Sequence, residues 1–278
     1  MTDRRALEVW GDPIAHSLSP QLHLAAYEVL GVDWSYERRE VGEREFARVL
    51  ASLDSTFRGL SVTAPLKPSA FGAATWRDRR AELTGAVNTL LLEDAGTRGF
   101  NTDVGGITAS LAENGITSVA DVRIIGAGAT ATSALVAAAE LGASYVEVVA
   151  RRPPAVAALQ DLGDSLGVSV MPLLFETPAY SPVDLTIATL PGGARIPPDV
   201  ADIIAEPGGP LLDVVYGRGP TRISEAWDRA GAPVITGEGM LLHQALLQVR
   251  IFAAGTADEP LDREEVVLAA MRRALVGG

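Results

Sequence analysis

Residues 121–152 read DVRIIGAGATATSALVAAAELGASYVEVVARR and predict a strand, a glycine turn, a helix and a second strand. The runs 122–125 and 145–150, which are apolar except for Arg123 and Glu147, are typical of buried parallel strands. Between them stands a G-x-G-x-x-A pattern, formed by Gly126, Ala127, Gly128, Ala129, Thr130 and Ala131. Such a pattern allows a tight turn, a close approach of the backbone to a pyrophosphate, and free N–H groups at a helix amino end. The stretch predicts a Rossmann-type dinucleotide-binding unit, and a βαβ unit without bound phosphate is the alternative.

The residues after the second strand indicate which dinucleotide binds. An NAD site has Asp or Glu there, which accepts hydrogen bonds from the ribose 2′-hydroxyl. This chain has Arg151 and Arg152, and guanidinium groups suit a 2′-phosphate that a carboxylate would repel. We therefore expect NADP as the cofactor. The alternative is that one or both arginines are solvated surface charges.

Composition excludes several classes of function. The 278 residues include 35 acidic and 23 basic side chains, so the formal charge is −12 and general affinity for nucleic acid or anionic membranes is not expected. There is no cysteine, and the three histidines have no metal-ligand spacing, so we expect no metal site. The amino-terminal residues lack an apolar signal core, and no apolar run approaches membrane-spanning length. A cytoplasmic enzyme acting on a small molecule is expected, as a monomer or a homodimer.

Polar residues follow several predicted elements in the first hundred residues. Ser19 is predicted to cap a helix that continues to residue 30, which leaves Ser17 for a substrate contact. Lys67 is predicted on a loop after the strand at 59–63, where it could donate a proton or be merely solvated. Asn88 is predicted within a strand at 86–92. Thr102 or Asp103 could cap the next helix.

These pieces resemble the shikimate dehydrogenase family. The resemblance rests on GDPIAHSLSP (11–20), SVTAPLK (61–67), AVNTL (86–90), NTDVGG (101–106), GAG (126–128), DVVY with Thr221 (213–221) and GEGMLLHQA (237–245). The motifs stand in the family's order and spacing and span nearly the whole chain. The alanine-rich helix, VVARR and MLLHQA are most similar to actinobacterial, NADP-dependent members.

The resemblance implies a role for each matching position. Lys67 would be the catalytic lysine and Asp103 its acid/base partner. The substrate positions would be Ser17, Ser19, Thr63, Asn88, Tyr216 and Gln244. Arg151 would hold the 2′-phosphate beside Arg152, and the other cofactor positions outside the glycine turn would be Thr189, Val214 and Gly237. The chain departs from the family's usual residues at Ser61 (usually Asn), at Ala129 (usually Gly) and at 150–152 (usually Asn-Arg-Thr).

The resemblance also implies the architecture and the reaction. Residues 1–101 and 239–278 would form an N-terminal α/β substrate-binding catalytic domain to which the C-terminal helices return, and residues 102–238 an NADP-binding Rossmann domain. The reaction would be the reversible NADPH-dependent reduction of 3-dehydroshikimate to shikimate, in aromatic amino-acid (chorismate) biosynthesis. Three alternatives are a relative that prefers quinate, with NAD as its coenzyme; a dehydrogenase of the same fold with another substrate; and a nicotinamide-binding regulator without catalysis.

Overall fold

A computed structural model describes residues 5–217 and 219–276 of the chain. The chain divides into two compact units. Unit 1 is formed by the chain up to Gly106 and again from Leu241 onward, and unit 2 by Ile107–Met240.

Twelve strands and eleven α-helices are defined over the described residues. The strands are β1 (Arg5–Gly11), β2 (Trp34–Glu40), β3 (Phe57–Val62), β4 (Trp76–Arg77), β5 (Thr89–Glu93), β6 (Gly96–Phe100), β7 (Asp121–Ile125), β8 (Tyr145–Val149), β9 (Ser169–Leu173), β10 (Leu185–Ala188), β11 (Leu211–Asp213) and β12 (Val234–Thr236). The helices are α1 (Ser19–Leu30), α2 (Phe46–Leu50), α3 (Lys67–Ala73), α4 (Arg79–Thr84), α5 (Asp103–Glu113), α6 (Ala129–Glu140), α7 (Ala157–Leu166), α8 (Pro198–Ala205), α9 (Arg222–Ala230), α10 (Gly237–Ala254) and α11 (Glu264–Val276).

The sheet of unit 1 is mixed, with the strand order β2-β1-β3-β5-β6-β4. β1 pairs in parallel with β2 and β3, whereas β5 runs antiparallel to both β3 and β6. As a result β1, β3 and β6 end at the same edge of the sheet, and β5 begins there. A cluster of buried side chains that includes Trp10, Leu60, Leu66 and Leu90 packs beneath this arrangement.

The sheet of unit 2 is parallel throughout, with the order β12-β11-β10-β7-β8-β9. Numbered within the unit, this is the doubly wound order 6-5-4-1-2-3, in which the first strand lies at the point where strand order reverses. That first strand is β7, the strand that leads into the glycine turn. The predicted α/β fold with a Rossmann-type domain is confirmed.

Several short elements were not predicted, or were predicted with other bounds. Sequence patterns do not indicate α3, α4, α8, β4 or β6, whose lengths are between two and eight residues. Residues 211–216 predict one strand, whereas β11 ends at Asp213. Segments this short contain less than three turns of a helix or too few alternations of a strand for periodicity to identify them.

Across the described residues, no helix combines the length and the apolar character needed to cross a membrane.

Candidate active site

Polar residues of unit 1 gather at one edge of its sheet. Thr63 follows β3, Lys67 opens α3, Asn88 directly precedes β5, and Asp103 opens α5 after β6. Because β5 is antiparallel to its neighbours, its beginning lies where β3 and β6 end, and this places Asn88 among the other three. Two predictions are corrected here. Lys67 lies in a short helix rather than on a loop, and Asn88 lies before the strand rather than within it.

Lys67 and Asp103 form a buried ion pair. The Nζ of Lys67 contacts Oδ2 of Asp103, and the two residues are 9% and 5% exposed. The other carboxylate oxygen, Oδ1, accepts a hydrogen bond of 2.8 Å from Nδ2 of Asn88. A buried ammonium group held by a carboxylate can donate a proton to a bound ketone and stabilise the alkoxide that forms.

Asn88 uses both ends of its amide within the protein. Nδ2 also donates to Oγ1 of Thr102 at 2.9 Å, and Oδ1 accepts from the Thr89 hydroxyl and from the Thr102 backbone N–H, each at 2.9 Å. The side chain is therefore held in one orientation, with its donor end toward Asp103.

Side chains other than the predicted ones satisfy the first backbone N–H groups of α1 and α5. The hydroxyl of Ser17 accepts from the backbone N–H of Ser19 at 3.3 Å and donates to the Ser19 hydroxyl at 3.2 Å. Ser17 therefore has a structural role at the start of α1, and the side chain of Ser19 does not cap the helix. At α5, Oδ1 of Asn101 accepts from the backbone N–H of Asp103 at 3.0 Å, which corrects the prediction that Thr102 or Asp103 is the cap.

Two further predicted substrate positions lie in unit 1. Thr63 is half-buried, and its backbone N–H donates to the carbonyl of Trp10 at 2.9 Å. Gln244, on α10, is buried; it donates to the carbonyl of Leu241 at 3.0 Å and accepts from the Thr102 hydroxyl at 3.4 Å. The structure thus brings Thr63, Lys67, Asn88, Asp103 and Gln244 together in unit 1.

Sequence reasoning missed a second glutamine on α10. Gln248 lies four residues after Gln244 and is 2% exposed, with hydrogen bonds to His23, Ser61, Asn88 and Thr89. The spacing of Gln244 and Gln248 could have indicated it, because residues four apart share one face of a helix. A second amide on a largely apolar helix needs polar partners just as the first does.

The glycine turn of unit 2 has the backbone that a dinucleotide requires. Gly126 has φ +116°, and a Cβ built there would meet Oγ1 of Thr189 at 2.5 Å, so both conformation and space favour glycine. At Gly128 a Cβ would point into open space, so the glycine leaves room beside the backbone for a ligand. Ala129 opens α6, whose amino end has no side-chain cap, and Ala131 is fully buried against the sheet. The first-turn N–H groups of α6 are therefore available to phosphate oxygens.

Arg151 and Arg152 follow β8 after one residue, Ala150, and both are exposed. Neither makes a side-chain hydrogen bond or an ion pair with the part of the chain that the structure describes. Their guanidinium groups are consequently available to an anionic group beyond the end of β8. Together with the space at Gly128, this donor set fits a dinucleotide that carries a 2′-phosphate.

The remaining predicted positions of unit 2 lie beyond β10 and β11. Thr189 follows β10 and donates its hydroxyl to the carbonyl of Ile125 at 3.0 Å. Val214 follows β11, and a Cβ on Gly237, the first residue of α10, would overlap the Val214 carbonyl. Tyr216 is half-buried two residues further on.

A cavity of about 680 Å³ adjoins this end of the sheet of unit 2. Its lining includes Leu190, Arg195, Asp213, Val215 and Thr221. Burial raises the pKa of Asp213, although hydrogen bonds from the Thr221 hydroxyl and the Val215 backbone N–H oppose that rise. Asp213 thus connects the end of β11 to the residues that begin α9.

The chain is similar to known proteins over almost its whole length. Residues 9–90 match the family model described as the shikimate dehydrogenase substrate binding domain. The NADP(+) shikimate dehydrogenase of Thermus thermophilus is 34% identical over 269 residues, which cover 96% of this chain and 97% of that protein. The corresponding protein of Methanothermobacter thermautotrophicus is 33% identical over 270 residues, 94% of each chain.

Solved structures agree with these relatives. The crystal structure of Mycobacterium tuberculosis shikimate dehydrogenase superimposes with a TM-score of 0.82 at 37% identity, covering 99% of this chain and all of that one. A Thermus thermophilus shikimate 5-dehydrogenase, solved in complex with NADP(H) and shikimate, gives a TM-score of 0.78 at 29% identity, covering 97% of this chain and 99% of that one. Sequence and fold together establish that the chain belongs to the shikimate dehydrogenase family.

Proposed function

We propose that the chain catalyses the reversible NADPH-dependent reduction of 3-dehydroshikimate to shikimate, a step of aromatic amino-acid biosynthesis. Unit 1 acts as the substrate-binding catalytic domain and unit 2 as the NADP-binding domain. The buried Lys67–Asp103 pair carries this proposal, because it supplies a proton donor and its carboxylate partner at the polar edge of the unit 1 sheet. Membership of the family supports it.

Lys67 donates the proton that the reduced carbonyl oxygen needs. Bound NADPH supplies the hydride. As negative charge grows on the substrate oxygen, the Lys67 ammonium group stabilises it and then transfers a proton, which leaves a neutral amine that is reprotonated from solvent. Asp103 holds the ammonium group in place through Oδ2, while Asn88 holds the carboxylate through Oδ1. In the oxidation direction the same amine accepts the hydroxyl proton of shikimate.

Substrate recognition is assigned to hydroxyl and amide groups that suit a small polyhydroxylated acid. We assign its hydroxyls and carboxylate to Ser17, Ser19, Thr63, Asn88, Tyr216 and Gln244. Support comes from the chemistry of these side chains, since a site built to hydrogen-bond several hydroxyls discriminates strongly against analogues that lack them.

The cofactor is assigned to unit 2. Gly126–Ala131 and the amino end of α6 bind the pyrophosphate, Arg151 and Arg152 bind the 2′-phosphate, and Thr189, Val214 and Gly237 bind the nicotinamide half. The open space at Gly128 and the two arginines without a partner in the described part of the chain support this assignment.

Oxidation of shikimate by the purified protein, followed as nicotinamide absorbance, tests the proposal. NADP and NAD are compared in parallel, with Lys67→Ala as the control variant. We expect turnover with NADP that collapses in the variant. Turnover mainly with NAD, or faster oxidation of quinate, would favour the quinate-type alternative. NADP binding without turnover of either acid would favour a non-catalytic regulator.

Three expectations from the sequence stay predictions. These are a monomeric or homodimeric state, a cytoplasmic location and the absence of nucleic-acid partners. Light scattering of the purified protein tests the first of them.

A further inference from the structure

Gln248 is a buried amide whose polar atoms all have partners. Its Oε1 lies 2.8 Å from the Ser61 hydroxyl and 3.2 Å from Nε2 of His23. Its Nε2 donates to the carbonyl of Asn88 at 3.2 Å and to the Thr89 hydroxyl at 3.0 Å. The carbonyl of Asn88 can only accept, so it fixes the orientation of the amide: a flipped amide would bring two carbonyl oxygens together and lose this hydrogen bond.

The two hydrogen bonds that Oε1 of Gln248 accepts have a definite direction. Complete burial lowers the pKa of His23 to about 3, so the ring is neutral at physiological pH. Because Oε1 of Gln248 can only accept, Nε2 of the neutral ring carries the proton and donates to it, and Nδ1 accepts from the Tyr27 hydroxyl at 3.1 Å. The Tyr36 hydroxyl donates to Ser61 at 2.6 Å, which leaves the Ser61 hydrogen for Gln248.

The hydrogen bonds that Nε2 of Gln248 donates connect it to the Lys67–Asp103 pair. The Thr89 hydroxyl accepts from Gln248 and donates to Oδ1 of Asn88 at 2.9 Å. With Oδ1 occupied as an acceptor, the Nδ2 of Asn88 is turned toward Asp103. If the Asn88 amide flipped, its oxygen would face the Asp103 carboxylate and the two groups would repel each other.

We propose that Gln248 is a positioning residue for the Lys67–Asp103 pair and acts through Thr89 and Asn88, with Ser61 and His23 fixing its own orientation. The proposal rests on the proposed function for its kinetic consequence. It also explains why serine can stand at position 61: its hydroxyl completes the chain of hydrogen bonds between Tyr36 and Gln248.

Steady-state kinetics of Gln248→Met, Thr89→Val and the double variant test the proposal. Both substitutions keep approximate volume and remove hydrogen bonds. For each single variant we expect kcat for shikimate oxidation to fall about tenfold, since both lose the hydrogen bond between Gln248 and Thr89 and one buried hydrogen bond is typically worth that much. The KM for NADP should not change, because the cofactor is assigned to unit 2. The double variant should be no slower than the slower single variant, because both substitutions cut the same chain of hydrogen bonds.

Gln160→Met is the matched control. Gln160 is a half-buried glutamine of α7 in unit 2 whose Nε2 donates to the carbonyl of Val170, and it has no part in either proposed site. Its substitution should leave kcat unchanged. An unchanged kcat in folded Gln248→Met and Thr89→Val would overturn the proposal, as would additive losses in the double variant.

A measurement without turnover separates this proposal from the proposed function. The side-chain amide resonances of Asn88, assigned with Asn88→Ser, should shift and exchange faster with solvent in Gln248→Met and in Thr89→Val. If the wild type does not oxidise shikimate, the proposed function fails and the amide resonances alone decide whether Gln248 orients Asn88. Unshifted resonances in both variants would contradict the positioning role. Should Gln248→Met not fold, Thr89→Val carries both measurements.

Discussion

Lys67 and Asp103 form an ion pair at the start of two different helices, α3 and α5, and both side chains are buried. Removing one member of such a pair leaves the other charge buried without compensation, which destabilises the protein as well as impairing its chemistry. Experiments on this pair must therefore separate catalysis from folding.

Asp103→Asn should lower kcat for shikimate oxidation by about 10²–10⁴-fold, because the variant keeps the shape of the side chain but loses the charge that holds Lys67. Combining it with Lys67→Ala should cost little more than the worse single substitution, since residues that act as one unit are not additive. Steady-state kinetics of the three variants provide the measurement.

The matched control is a second ion pair of unit 1. Arg250 and Glu264 are partly buried, with Nε of Arg250 2.6 Å from Oε2 of Glu264. Glu264→Gln should lower the free energy of unfolding and leave kcat unchanged. If Asp103→Asn affected only stability in the same way, the assignment of Asp103 to the reaction would be wrong.

The two glycines of the turn predict opposite kinds of defect. Gly126→Ala should lower the melting temperature, because its Cβ would meet Thr189 in a backbone conformation with φ +116° that alanine rarely adopts. Gly128→Ala should fold normally, since φ is −101° and the Cβ would meet nothing, but should bind NADP at least about tenfold more weakly. Calorimetry for folding and fluorescence titration for NADP separate the two effects.

Gly126→Ala and Gly128→Ala serve as controls for each other, because each adds the same methyl group at positions two residues apart. Unchanged NADP affinity in folded Gly128→Ala would show that no pyrophosphate passes close to this position. A normal melting temperature in Gly126→Ala would mean that the turn can rearrange.

Arg151 should discriminate between the two nicotinamide cofactors. Arg151→Ser should raise the Kd for NADP about 10–100-fold while leaving that for NAD nearly unchanged, because only NADP carries the 2′-phosphate. Affinity for NADP should also fall with salt more steeply in the wild type than in the variant. Isothermal titration at two salt concentrations measures both effects.

Arg152→Ser is the comparison for that prediction. The two arginines are adjacent, exposed and without a protein partner among the described residues, so any difference between them reports on the cofactor. Equal affinity for NADP in the wild type and in both single variants would show that these charges are solvated surface groups.

The sequence predicted those features of the fold that depend on long periodic elements. The strand, turn and helix at 121–141 were found because glycine spacing and apolar runs agree there. Lys67 was misplaced because α3 has only seven residues and Pro68 at its start reads as a turn signal. The antiparallel β5, which brings Asn88 to the site, follows from pairing between strands, and the sequence of one strand does not specify its direction.

The sequence indicated which residues form the candidate site better than it indicated how they are arranged in space. Motif resemblance indicated Lys67, Asp103 and Asn88, but it gave no reason to group Gln248 with them. That grouping depends on α10 lying beside β3 and β5 within unit 1, which brings together residues about 160 and 190 positions apart in the chain. Helix periodicity would have placed Gln248 beside Gln244, although it could not have named Thr89 as the acceptor.

His23 predicts how stability depends on pH. Burial lowers its pKa from 6.5 to about 3, so between these values the unfolded chain binds a proton that the folded protein does not. Stability therefore rises with pH across this window and is lost as the pH falls through it. Asp78 acts in the opposite sense, since burial raises its pKa to about 6 and the folded protein retains a proton that the unfolded chain loses. A comparison between variants at the same pH removes the contribution of Asp78.

Relative to the wild type, His23→Gln should lose the contribution of His23 to the pH dependence of the free energy of unfolding between about pH 7 and pH 4. One proton accounts for a slope of about 1.4 kcal/mol per pH unit well below 6.5, and the variant should lose that slope even if it is less stable at every pH. Urea unfolding at half-unit intervals measures it. His16→Gln, which alters an exposed histidine, should retain the wild-type slope. Equal slopes in the two variants would mean that His23 can be protonated within the folded protein, in which case its hydrogen bond to Gln248 could not depend on a neutral ring.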